Sequence, residues 1–218
     1  LALHVGDAVE AVAANRTALS AELGVPVVFG RQVHGVRALA ITAADGVPAD
    51  PPHQDVAEDD GCDALVTTDP GLALGVLVAD CVPVLLADAQ ARVVGVAHAG
   101  RVGLLTGVLQ QVLAQMSGHG ARIERIRVAL GPAAGPCCYE VPEEMRAAAA
   151  AQIEALFAAT SRGTPALDLR AGCHDVLRSS GVTEVQNIGG CTLEDPQSFS
   201  YRRASPTGRF AGVVRLQA

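Results

Sequence analysis

The feature that most constrains this chain lies between Asp63 and His98. Four apolar runs, at residues 64–67, 72–79, 82–87 and 93–97, follow one another with only short turns between them. None alternates apolar with polar residues, as a strand with one wet face would. Such runs predict strands covered on both faces. The chain must therefore supply layers on either side of a sheet. Residues 7–23 carry Val9, Val12, Ala13, Arg16, Leu19 and Leu23 at helical spacing, with Asp7 placed to cap the helix and Gly24 and Pro26 to end it. Further helices are predicted over 104–116, over 142–159 with Pro142 in the first turn, and over 167–180 before Gly181. Strands are predicted at 25–29, 33–41, 123–130, 184–188 and 210–216. Residues 43–61 hold Pro48, Pro51, Pro52 and six acids, and read as a solvated, mobile loop. Strands and helices mix without strict alternation, and no repeat or linker interrupts them. The expectation is an α+β fold: one compact domain over residues 1–218, with mixed β-sheets flanked by helices.

Composition removes several classes of chemistry. All 16 basic residues are arginine. Schiff-base catalysis by lysine is therefore excluded, as is a P-loop lysine. Aromatics make up 3% of the chain and tryptophan is absent, so a stacking platform for single-stranded nucleic acid is not expected. The net charge of -7 argues against a phosphate-backbone binder. No apolar run is long enough to span a membrane, and no signal peptide opens the chain. The first residue is Leu1, which reads as a trimmed start. Six cysteines without a Cys-x-x-Cys pair, in a domain this large, point to a reducing cytoplasm and to neither a thioredoxin site nor a zinc ribbon.

Chemistry is sought where polar residues interrupt the apolar runs. Asp80 and Cys81 follow one run, and His98 ends another before Ala99 and Gly100. A buried carboxylate at a strand end is costly unless it is paired or opens on a crevice. Cys81 and His98 thus read as neighbours on adjacent strand ends, and His34 closes a shorter run before Gly35. His34, Cys81 and His98 form an N/S/N set that zinc accepts, with a fourth position left open. Their spacing carries no metal signature. Cys81 also reads as a buried apolar residue, the usual state of a free cysteine, or as a nucleophile served by a histidine, and His98 as a core histidine bonded to backbone. Gly100–Gly103 leads into a helix, where Arg101 is a candidate anion contact. Arg202, Arg203 and Arg209 crowd a short C-terminal span and are candidates for bidentate phosphate recognition, against a plainer reading as surface charge. The turn 131–140 holds Cys137 and Cys138, and reads as structural.

Taken together, Leu3-His4-Val5-Gly6-Asp7, Gln32-Val33-His34-Gly35, Asp63-Ala64-Leu65-Val66, Ala79-Asp80-Cys81-Val82-Pro83, His98-Ala99-Gly100, Cys138-Tyr139-Glu140-Val141, Cys191-Thr192, Phe199-Ser200-Tyr201-Arg202-Arg203 and Thr207-Gly208-Arg209 resemble one family. It is the YfiH family of laccase-domain or polyphenol oxidase proteins, also assigned as purine nucleoside phosphorylases. The motifs occur in the family's order along nearly the whole chain. The resemblance implies zinc on His34, Cys81 and His98, phosphorolysis of purine nucleosides (adenosine, inosine, guanosine, methylthioadenosine) and deamination of adenosine. Copper fits less well, because one Cys/His2 set does not supply the several sites of a multicopper oxidase. The family's His-Ala-Gly-Trp-Arg-Gly is here His98-Ala99-Gly100-Arg101-Val102-Gly103, so Arg101 would have to serve from one residue earlier. The family's preceding Gly-Gly-Val-Ser stretch lies before the first residue.

On this reading the catalytic set is Cys81, His98 and Asp80, with Asp80 a proton carrier or a group orienting a ligand. Arg202, Arg203, Arg209 and Arg101 serve substrate or phosphate. The partners expected are nucleosides and phosphate, with no nucleic acid, no membrane and no inferable protein partner. Two alternatives stand beside it: a metal-free cysteine hydrolase using Cys81 and His98, and a degenerate nucleoside-binding member without turnover.

Overall fold

The computed structural model describes residues 1–45, 55–56 and 60–217. Along the chain these form α1 (Val9–Leu23), β1 (Val27–Gly30), β2 (Ala38–Ala40), β3 (Asp55–Val56), β4 (Ala64–Thr67), β5 (Ala73–Val78), β6 (Val82–Asp88) and β7 (Val93–Ala99). There follow α2 (Arg101–Thr106), α3 (Val108–Gly118), β8 (Arg127–Leu130), α4 (Glu143–Ala150), β9 (Phe157–Ala159), β10 (Pro165–Leu167), α5 (Leu169–Ser179), β11 (Glu184–Asn187) and β12 (Phe210–Arg215).

Two mixed sheets carry the fold. One has the order β11-β8-β6-β7-β4-β2, the other β12-β5-β1-β3, and β9 pairs with β10 in a small hairpin. The fold is a single compact α+β domain. The two large sheets face each other, which explains the unbroken apolar runs. In β7, Val94 and Val96 point to the second sheet, while Val93, Ala97 and Ala99 join the cluster around α3. In β5, Leu74, Val76 and Val78 face the first sheet, and Ala73 and Leu77 face outward to the layer of α1. Period-2 alternation is thus present, but both sides are dry. Each fully buried valine or leucine contributes about 1.5–3 kcal/mol.

Two glycines let the layers close. A Cβ on Gly75 would stand 2.3 Å from the Phe29 ring, and one on Gly95 would stand 3.2 Å from the Met116 sulfur. Arg16, which carries the helical pattern of α1, is 1% exposed. Its Nε–H donates to the Leu1 carbonyl at 2.9 Å, and its guanidinium lies over Phe29.

Several local expectations need correction. Helix α1 is capped by Ala8, because the Asp7 carboxylate takes the adjacent Ala8 N–H instead of one further into the helix. The predicted strand 33–41 shrinks to β2. The N–H groups of residues 33–35 bond a carboxylate, Asp63, rather than a ladder. The helix expected over 104–116 starts at Arg101 and breaks at Gly107, whose φ is 105°. The strand expected over 123–130 begins with a 3-10 turn and becomes β8 only at Arg127. The alanine-rich helix stops at Ala150, and Phe157–Ala159 pairs with β10. Tertiary pairing overrides alanine's helix propensity there. Asp168 caps α5, accepting from the Ala171 N–H at 2.9 Å, so Leu167 belongs to a strand. Most of the acidic loop predicted at 43–61 lies outside the described residues.

Candidate metal centre and active site

Strands β6 and β7 are paired so that Pro83 faces His98. That register puts Cys81, just before β6, beside the C-terminal end of β7. The turn entering β6 is tight: Asp80 has φ 88°, a left-handed backbone uncommon for a residue with a side chain. Its Oδ1 accepts from the Thr192 hydroxyl at 2.6 Å, and its Oδ2 from the Arg202 N–H at 2.7 Å. Its carbonyl accepts from the Ala134 N–H at 2.8 Å. With both carboxylate oxygens engaged, Asp80 ties together three segments and holds the turn that bears Cys81. Of the two expectations for Asp80, this bonding favours the orienting one over the proton carrier.

The centre of the arrangement is Asp63, whose side chain is 0% exposed. Its carboxylate accepts from the backbone N–H groups of Val33 at 3.1 Å, His34 at 2.9 Å and Gly35 at 2.8 Å. It also accepts from His98 Nδ1 at 2.8 Å. One carboxylate therefore fixes the loop that carries His34, in its left-handed conformation of φ 61°, and the ring of His98. With Nδ1 turned to Asp63, His98 presents Nε2 toward Cys81, as a donor when protonated and as a ligand nitrogen when not. Gln32 braces the same loop, donating to the Leu77 carbonyl at 2.7 Å and accepting from its N–H at 2.8 Å.

The result is a compact triangle. The ligand atoms of His34, Cys81 and His98 lie within 4.8 Å of one another, and Cys81 Sγ is 3.9 Å from His34 Nε2. The two imidazoles meet edge to face with centroids 4.7 Å apart. Gly100 closes one side, where a Cβ would lie 3.0 Å from both Cys81 Sγ and His34 Cδ2. Burial alone would raise the Cys81 thiol, but hydrogen bonds from His34 and His98 outweigh it and bring the thiol down to about 6. Burial opposes charge on His98 too, yet its bonds to Asp63 and Cys81 raise it to about 9. This donor set fits a borderline-soft metal ion: a thiol readily held as thiolate, two imidazoles, and a carboxylate behind one of them.

The sign of these shifts gives a direct expectation for metal-free protein. Cys81 favours the thiolate, a contribution present above pH 9.0 and lost as pH falls through about 6. His98 favours imidazolium, a contribution present below pH 6.5 and lost as pH rises through about 9. Between about 6 and 9 the two are an ion pair. The rate of Cys81 alkylation by iodoacetamide, followed by peptide mass spectrometry, should reach half its maximum near pH 6. A midpoint near 9.0 would contradict the geometry described.

The triangle opens on a cavity of about 280 Å³ whose walls include Tyr139, Leu169, Tyr201, Arg202 and Arg209. The guanidinium of Arg202 lies 4.6 Å above the Tyr139 ring and donates from Nη1 to the Glu140 carbonyl at 2.8 Å. Arg209 donates from Nη1 to the carbonyls of Thr207 and Gly208 and lies 5.9 Å from the Tyr201 ring. Arg203 does not line this cavity. Its guanidinium donates to the carbonyls of Thr192, Leu193, Asp195 and Ser198, so its hydrogen bonding is committed to holding that loop. Arg101 opens α2 and is also absent from the cavity wall. Of the four arginines expected to meet phosphate, Arg202 and Arg209 line the cavity, while Arg101 acts by its charge on Tyr139 in that wall. A larger open groove of about 560 Å³, between Leu85, Arg127 and Glu184, contains no histidine or cysteine.

Sequence reasoning assigned no role to Asp63, Gln32, Tyr139 or Tyr201. Asp63 carried a usable signal, a carboxylate at the start of a wholly buried strand. The contrast between neighbouring arginines is testable. Arg203→Ala should cost roughly 1–3 kcal/mol of stability by leaving loop carbonyls unpaired, read as a lower Tm, without changing affinity for phosphate more than about twofold.

The sequence model of the family described as "Multi-copper polyphenol oxidoreductase laccase" matches residues 1–217. A Corynebacterium glutamicum protein named purine nucleoside phosphorylase is 45% identical over 98% of this chain and 85% of its own length. A Streptomyces griseus protein of the same name is 47% identical over 97% of this chain and 84% of its own. Among solved structures, the Bacillus licheniformis protein described as hypothetical protein YfiH superposes with a TM-score of 0.85 at 28% identity. That match covers 99% of this chain and 85% of the other. No helix among the described residues is long and apolar enough to cross a membrane.

Proposed function

The chain belongs to the multi-copper polyphenol oxidoreductase laccase family, and on that premise we propose that it is a zinc-dependent purine nucleoside phosphorylase. It splits adenosine, inosine, guanosine or methylthioadenosine with phosphate, giving free base and ribose 1-phosphate, and it also deaminates adenosine. The observation that carries this reading is the His34–Cys81–His98 triangle, backed by Asp63 and opening on a cavity walled by Arg202 and Arg209. Relatives at 45% and 47% identity carry the phosphorylase name. The unit taken to act is residues 1–218 as one domain, working in a reducing cytoplasm that keeps the thiols free.

His34, Cys81 and His98 would hold the ion. When bound there, zinc supplies Lewis-acid polarisation at the open face of the triangle. The protein does the rest by placement. Asp63 keeps His98 in the tautomer that presents Nε2, and keeps the His34 loop from drifting. Arg202 and Arg209 bind phosphate from the cavity wall as fixed cations. A phosphate oxygen attacks C1′ of the ribose, and the C1′–N9 bond breaks with its electron pair leaving on the purine, which takes up the proton that hydrogen phosphate gives up. Orientation of phosphate against C1′ and stabilisation of the departing base dominate the rate. A cavity of about 280 Å³ suits a nucleoside rather than a polymer.

The test is inosine with and without phosphate, followed by chromatography. Hypoxanthine should appear only with phosphate, in step with ribose 1-phosphate. Adenosine without phosphate should give inosine. Arg202→Ala should raise the KM for phosphate about tenfold or more, the loss expected for one charge-assisted contact. Phosphate-independent release of base would contradict the phosphorylase reading.

One observation favours a second reading. Asp63, His98 and Cys81 stand in the order orienter, base, nucleophile of a cysteine hydrolase. That chemistry leaves His34 without a task. A hydrolase would be inactivated by iodoacetamide and unaffected by a chelator, whereas the zinc reading expects zinc to shield Cys81 from alkylation.

A further inference from the structure

A cluster of three sulfurs lies outside the triangle. The sulfurs of Cys137, Cys138 and Cys191 all lie within 4.8 Å of one another, and all three cysteines are free. We propose that these three cysteines form a second metal site, a thiolate clasp for zinc or another closed-shell thiophilic ion, distinct from the His34–Cys81–His98 centre.

The argument starts from distance. Zinc–sulfur bonds of about 2.3 Å place thiolates roughly 3.8 Å apart around a tetrahedral ion. The observed cluster needs only small side-chain movements to reach that spacing. Sulfur is the only donor type in the set, which selects a soft ion and leaves one position to solvent. The surroundings hold the cluster together. The Gly135 N–H donates to Cys191 Sγ at 3.2 Å, as a backbone donor holds a thiolate. A Cβ on Gly135 would lie 3.3 Å from Cys137 Sγ and 3.4 Å from Cys191 Sγ, so the turn is shaped around the sulfurs.

The position gives the clasp a purpose. It joins the turn at 131–140 to the segment beginning at Cys191, already linked by the bridge between Ala133 and Cys191 and by the Thr192 N–H to the Ala133 carbonyl. Cys138 precedes Tyr139, a wall of the nucleoside cavity. Cys191 precedes Thr192, whose hydroxyl holds Asp80 beside Cys81. An ion here would lock two walls of the cavity without touching substrate.

The experiment uses a Cys81→Ala chain, which has lost the thiol of the first site, so the readout is independent of the proposed activity. Titrated with cadmium under reducing conditions, this protein should develop a thiolate-to-metal charge-transfer band that saturates at one equivalent. Protein loaded first with zinc should release it as cadmium is added, because the softer ion binds thiolates more tightly. Adding Cys191→Ser or, separately, Cys138→Ser should remove the band. Cys138 is only partly buried, so the second variant decides the matter should Cys191→Ser fail to fold. A Cys81→Ala chain without the band, or an undiminished band in the Cys138→Ser variant, would overturn the proposal. Air-driven loss of two thiols with no cadmium uptake would overturn it as well, in favour of a disulfide.

Discussion

Replacing Cys81 by alanine should abolish phosphorolysis while leaving the fold in place. Cys81 is the one sulfur in the triangle, and the thiolate is its strongest donor for a borderline-soft ion. The side chain is small and sits in a turn, so its loss opens little space in the core. The Asp80 carboxylate, bonded to Thr192 and Arg202, still holds the turn. Removing even a group behind a metal ligand typically costs about 10–100-fold in metal affinity or activity, and removing the ligand itself should exceed about 100-fold in kcat/KM for inosine. Tm in the metal-free state should fall at neutral pH, because the pairing of Cys81 with His98 is lost, while the far-ultraviolet circular dichroism spectrum stays that of wild type. A metal-free Cys81→Ala protein with wild-type activity would refute the assignment.

Asp63→Asn should fail differently, losing stability and activity together. The native carboxylate accepts four hydrogen bonds, three from backbone N–H groups and one from His98. An amide of the same shape has one acceptor oxygen, and its NH2 would face donors. Breaking a buried ion pair of this kind costs about 3–5 kcal/mol. At roughly 2–4 °C per kcal/mol for a chain of this length, Tm should fall by about 6–20 °C. The effect also carries a sign in pH. Burial alone would raise Asp63, but its bonds to His98, Gly35 and Val33 hold it below the ordinary carboxylate range. Its contribution is therefore present above that range and is lost as pH falls through the depressed value. The wild-type Tm advantage over Asp63→Asn should be full at neutral pH and shrink in acid. Metal affinity should fall about 10–100-fold, because His98 loses its orienting partner. An Asp63→Asn protein with unchanged Tm and metal affinity would show that the network is incidental.

Much of this was legible in the sequence, for physical reasons. The double-faced burial of β5 and β7 was written in their unbroken apolar runs, which demanded a covered sheet. The meeting of Cys81 and His98 followed from polar residues at the ends of adjacent strands. What was hidden depends on contacts distant in sequence. Asp63 controls His34 from 29 residues away through backbone N–H groups that no motif reveals. Whether Asp80 carries a proton or orients a ligand is not legible locally, because Thr192, which bonds one of its oxygens, lies 112 residues on. Arg202 and Arg203 are adjacent and chemically identical, yet one lines the cavity and the other is spent on loop carbonyls. Side-chain direction in irregular backbone carries no period from which to read it. The helix predicted over 142–159 failed because its last residues find a partner strand, a non-local event that alanine content does not foreshadow.

The most direct measurement is phosphorolysis of inosine by one preparation in three states: as purified, stripped of metal, and restored with zinc. The account predicts that hypoxanthine formation is lost on stripping and returns with zinc in wild type, and that zinc restores none of it in Cys81→Ala. Full activity in the stripped protein, or restoration by zinc in Cys81→Ala, would contradict it.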